Sequence, residues 1–145
     1  MFSNDRDAMR RQYLEAWRKY RNSETVTPLE AMIGEVVAEH PEYHHLLEND
    51  EAALGGDWTP EDGATNPFLH MGLHLALREQ VATDRPPGVQ AVHTALTRRL
   101  GDHLEAEHRM MEPLAEALWH AQSSGGMPDE QAYVEALQRL LPKKP

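Results

Sequence analysis

The run Asn66-Pro-Phe-Leu-His-Met-Gly-Leu-His-Leu-Ala-Leu77 is apolar on nearly every side once it is wound into a helix. A helix of that kind persists in water only when other elements cover it, so it must run through the middle of the fold. Asn66 and Pro67 open it, with a side-chain acceptor followed by the residue best suited to the first helical position. His70 and His74 lie four residues apart and therefore on one face.

The rest of the chain supplies helices to cover it and no strand pattern. Met9, Tyr13, Ala16, Trp17 and Tyr20 form one stripe of a first helix spanning Asp5 to Arg21. Thr27-Pro-Leu-Glu30 is a helix start with a hydroxyl cap, proline and a capping-box glutamate. The helix it opens carries Leu29, Ile33, Val36, His40, His44 and Leu47 on one face, either kinked at Pro41 or stopping and restarting there. Residues Asn49 to Thr65, with Gly55, Gly56, Pro60 and Gly63, read as a loop. After Arg85-Pro-Pro-Gly88, the positions Val89, Val92, Leu96 and Leu100 begin a fourth helix. Its period continues through Leu104, His108, Met111, Ala115, Leu118 and Trp119, with Gly101 and Pro113 as weak points. Past the Ser123–Pro128 turn, a last helix from Asp129 to Leu141 turns Tyr133, Leu137 and Leu140 inward. The expected fold is all-α: one domain over residues 1–145, a bundle of about five helices with a four-helix core, kinked at Pro41 and Pro113.

Composition narrows the function. A chain of 145 residues buries enough apolar surface to fold without a staple, so any metal would serve function more than folding. Cysteine is absent, which excludes disulfides, thiolate zinc sites and iron–sulfur clusters. The net charge of −10 argues against nucleic acid as partner. The bases Arg6, Arg10, Arg11, Arg18, Lys19 and Arg21 alternate with acids and read as a solvated face. No segment has the roughly 18 apolar residues that span a bilayer, and the expected location is the cytoplasm.

Nine histidines in such a chain point to nitrogen- and oxygen-ligated metal. At about 100° per residue, His70, His74, Leu77 and Val81 share an arc of about 60°. On the fourth helix the same rule groups Glu105, His108 and Glu112 inward with Trp119 and puts His103 and Glu107 on the far side. Carboxylates buried there would be costly without a cation. With His40 and His44, the expected ligand set is five histidines and two glutamates: His40, His44, His70, His74, Glu105, His108 and Glu112. Seven ligands exceed a tetrahedral zinc site and suit two bridged metals, iron first and zinc or manganese otherwise, that bind or react with oxygen, peroxide, nitric oxide or another small molecule. A hydrolytic version would use Glu105 or Glu112 as base. Two alternatives stand beside it: a non-catalytic interaction module whose histidines and glutamates only hydrogen-bond, and haem ligation by one histidine of each pair. Whether the chain is an enzyme is left open by the sequence.

Three resemblances bear on this reading. The ligand inventory resembles that of hemerythrin-like di-iron bundles in composition, although the order here is HxxxH, HxxxH, ExxHxxxE; this likeness is chemical, not ancestral. Ferritin-like carboxylate proteins use paired ExxH motifs, for which Glu105/His108 and Glu42/His45, with Glu15 and Glu79, are the corresponding residues. The run NPFLHMGLHLA at 66–76, with His40-Pro-Glu-Tyr-His44 before it and Glu107-His-Arg-Met-Met-Glu112 after it, resembles the bacterial domain-of-unknown-function family 1841 over nearly the whole chain. That resemblance implies a bacterial, cytoplasmic protein and no particular activity.

Overall fold

The computed structural model describes residues 2–58 and 66–142. Among them are eight α-helices, one 3-10 turn and no strand, so the chain is all-α with more and shorter helices than the five expected. Two compact units divide it, Met1–Leu75 and Ala76–Pro145.

The first unit contains α1 (Phe2–Arg21), α2 (Pro28–Ala38), α3 (His44–Leu47), α4 (Asp50–Gly55) and the first half of α5 (Pro67–Thr83). The predicted capping box at α2 is present: Thr27 Oγ1 accepts from the Glu30 amide at 3.1 Å and Glu30 Oε1 accepts from the Thr27 amide at 2.9 Å. Asn66 caps α5 in the same way, its Oδ1 accepting from the Phe68 amide at 2.9 Å. The core joins Tyr13, Leu14, Ala16 and Trp17 of α1 to Ile33, Val36 and Val37 of α2, with Leu47, Ala53, Phe68 and Met71 closing it. Met9, Tyr20 and Leu29, expected inward, lie at the edge of this packing and are exposed.

Of the two courses expected at Pro41, the stop and restart is found in place of the kink: the helix ends at Ala38, a 3-10 turn spans Pro41–Tyr43, and α3 starts at His44. The prolyl ring disfavours helical geometry in its predecessor, and His40 adopts φ −127° and ψ 69°. The expected 49–65 loop contains α4, started by Asn49, whose Oδ1 accepts from the Ala52 amide; the 59–65 part of that loop lies outside the described residues.

The second unit holds the end of α5, α6 (Val89–Leu100), α7 (His103–Ser124) and α8 (Glu130–Gln138). The single helix expected from Val89 to Trp119 is two. Gly101 ends α6 in the left-handed region at φ 75°, where a side chain is disfavoured, and Asp102 caps α7. The new helix starts with its own phase. Its buried residues are Ala106, Glu107, Met110, Met111, Pro113, Leu114 and Ala121, whereas Leu118 and Trp119 are exposed. Helix α7 is continuous through Pro113, whose missing N–H costs one intrahelical bond. As expected, Tyr133 and Leu137 of α8 are buried.

Gly34 lets α1 and α2 meet at close range, because a Cβ there would overlap the ring of Tyr20. Gly34→Ala is expected to destabilise the chain by about 1–3 kcal/mol, as overpacking does, read as a lower urea midpoint at unchanged slope.

Candidate metal centre

Three of the seven expected ligands converge in the first unit. His40 and His74 are buried, at 2% and 0% exposure, and His70 is half-buried. Each of the three offers a ring nitrogen within 4.8 Å of the others. Ring centroids are 4.6 Å apart for His40–His74, 4.9 Å for His70–His74 and 5.2 Å for His40–His70.

Each ring is placed by a local device. The Asn66 cap fixes where α5 begins, and helical spacing puts His70 and His74 on one face. His40 is turned inward by the break before Pro41. Its main-chain amide donates to the Val37 carbonyl at 2.9 Å and its Nδ1 donates to the Val36 carbonyl at 2.7 Å. That second bond fixes the tautomer: in the neutral ring the lone pair is on Nε2, which faces His74 Nε2 at 3.1 Å. Tyr43 lies parallel to the His40 ring at 5.6 Å.

A fit test follows from the distances. Two imidazole nitrogens bound to one ion at about 2.0–2.1 Å lie about 2.8–3.4 Å apart, from the octahedral to the tetrahedral angle. The His40–His74 pair falls in that range. A His whose other nitrogen donates to a carbonyl is also the usual arrangement for a ligating imidazole.

Three further expected ligands, His44, Glu105 and Glu112, have other surroundings. His44 shared a face with His40 only if the helix ran through Pro41. With the helix broken, His44 Nε2 donates to the Val37 carbonyl at 2.8 Å and its ring packs on Trp17 at 4.6 Å. In the second unit, Glu105, His108 and Glu112 are not among the buried residues of α7. Glu105 and His108 side chains are 47% and 37% exposed and approach each other to 3.6 Å; Glu112 is exposed. The inward phase assigned to them was carried across Gly101 from α6, where the helix in fact ends. Of the ferritin-like set, Glu42, His45 and Glu79 are exposed, and Glu15 pairs with Arg18.

Sequence reasoning also missed two buried charges. Glu107, expected to face outward, is 3% exposed and grips the Arg78 guanidinium, with Nε to Oε2 at 3.0 Å and Nη2 to Oε1 at 3.2 Å. Arg10, read as part of a solvated face, is 3% exposed. Both had a signal: Arg10 shares the 10, 13, 14, 17 stripe of α1, and Glu107 the 107, 110, 111, 114 stripe of α7.

His93 feels the charges of Arg78 and Glu107, and its Nε2, like Thr97 Oγ1, is buried without a hydrogen-bond partner among the described residues. Burial pulls His93 below its ordinary pKa of 6.5, with His103 and Arg78 acting the same way and Glu107 opposing. A histidine depressed in the folded state binds its proton earlier in the unfolded chain, so stability is full above about pH 6.5 and declines as pH falls below it. His93→Asn is expected to flatten the slope of unfolding free energy against pH between about 7 and 5, measured by urea melts at stepped pH.

No helix among the described residues is long and apolar enough to cross a membrane. A search of curated proteins and of solved structures returned no match. The family model described as a domain of unknown function, DUF1841, matches residues 5–139. With helical architecture and the NPFLHMGLHLA run both inside the matched span, the chain belongs to the DUF1841 family.

Proposed function

We propose that this protein binds a transition-metal ion through His40, His70 and His74 and uses it to hold a small molecule. The observation that carries the reading is the convergence of three imidazole nitrogens within 4.8 Å, two of them on fully buried rings. Burying so many polar rings on one spot costs free energy unless each nitrogen meets a partner, and a cation meets several at once.

The donor type selects the ion. Imidazole suits iron, zinc, cobalt, nickel and copper(II), and is a poor match for magnesium or calcium. Iron is the first candidate, followed by zinc and manganese. One ion fits better than two, because Glu105 and Glu112, the carboxylates of the expected ligand set, are not on the buried stripe of α7. In six-coordinate iron three imidazoles leave room for further donors, and oxygen, peroxide or nitric oxide is the ligand class that such a centre takes.

A metal-free reading has one observation in its favour: 3.1 Å between the two Nε2 atoms is also a hydrogen-bond distance. Elemental analysis separates the two. Protein purified without a polyhistidine tag should carry or take up metal stoichiometrically, and the His70→Ala/His74→Ala double variant should lose it while keeping its helical circular dichroism. Single substitutions should weaken binding by more than the roughly 10–100-fold typical of outer-shell changes, and Glu112→Gln should leave it unchanged. A folded wild type that takes up neither iron nor zinc rules the metal out.

A further inference from the structure

We propose that Arg10 is a positioning residue for this centre, setting the start of α5 so that His70 and His74 arrive opposite His40. The proposal rests on the metal reading for its purpose and on independent geometry for its content.

The guanidinium of Arg10 reaches from α1 into the first unit's core. Its Nη1 donates to three main-chain carbonyls at the C-terminal end of α4: Gly56 at 2.7 Å, Ala53 at 3.0 Å and Leu54 at 3.4 Å. These carbonyls have no helical partner of their own and carry the negative end of the helix dipole, so a cation satisfies them both by hydrogen bonding and by charge. The same guanidinium lies 5.2 Å from the ring centre of Trp58 and 4.9 Å from that of Phe68. Trp58 and Phe68 meet edge to face at 6.1 Å, and Tyr13 braces Phe68 from α1 at 5.5 Å. A Cβ on Gly56 would overlap the far edge of the Trp58 ring, so the indole lies directly on the main chain there.

Phe68 stands two residues before His70 on a continuous helix. Whatever fixes Phe68 fixes the axial and rotational setting of His70 and His74, while His40 is fixed separately by Val36 and Val37. Arg10 thus joins the end of α4 to the first turn of α5. Lysine cannot substitute fully, because its ammonium lacks the planar face that lies against the Trp58 and Phe68 rings.

Three variants test this: Arg10→Lys, Arg10→Met and Trp58→Leu. The last removes one aromatic face without orphaning a carbonyl, so it keeps the fold if Arg10→Met does not. The probes are cobalt(II) affinity with its visible spectrum and the long-range proton–nitrogen spectrum of the imidazoles in metal-free protein. Expected results are an altered cobalt spectrum and affinity lower by about 10–100-fold in Arg10→Met, the range for changes outside the ligands themselves, with Arg10→Lys and Trp58→Leu intermediate. The His70 and His74 imidazole signals should shift in the same order, with the His40 tautomer signature retained. Leu137→Ala, a core truncation in the second unit, should lower stability and leave both spectra unchanged. Folded variants with wild-type imidazole spectra overturn the positioning role whether or not metal binds; a wild type without cobalt or iron binding overturns the metal reading alone.

Discussion

Pro41 disfavours a helical conformation in its predecessor, and the arrangement of the first unit's polar core follows from the break there. With His40 at φ −127° the chain leaves the axis of α2, and the imidazole swings back to donate to Val36, one turn earlier. His44, one step beyond the break, starts a separate short helix and spends its Nε2 on Val37. A pair with the spacing of two ligands is thereby split into one ring that faces His74 and one that braces Trp17. Had the helix continued, both rings would have shared a face and the site would have had a different composition.

The acidic chain buries few charges, and each is matched by a different partner. Arg78 and Glu107 form a bidentate pair with the glutamate almost fully enclosed. Removing one member of such a pair is worse than removing both, since the remaining charge is stranded. Arg10 is matched by helix-end carbonyls and aromatic faces. His40 takes a third route, meeting the Val36 carbonyl on one side and His74 on the other. These are the interactions that fix orientation in a core whose apolar residues only require contact.

What was legible followed from local chemistry. Thr27-Pro28 and Asn66-Pro67 announced two helix starts, because a cap needs only residues within one turn. His70 and His74 were correctly paired because nothing interrupts α5 between them. Errors arose wherever phase was carried across a break. The period from Val89 to Trp119 is plausible as a single helix, yet Gly101 resets it, and the reset leaves Glu105, His108 and Glu112 off the buried stripe of α7 and puts Glu107 on it. Arg10 was misread for another reason: its neighbours in sequence are charged, and its partners are 43 to 46 residues away.

The sequence by itself determined the all-α class, the capped starts of α2 and α5, the shared face of His70 and His74, and membership of DUF1841. Each depends on interactions within about one turn or on a pattern spread along the chain. Tertiary structure alone decided which third imidazole joins that pair, which glutamate is buried, and that a cation closes the end of α4. Those outcomes turn on which groups meet across the core, where the burial of an unpaired polar atom is far costlier than any local preference.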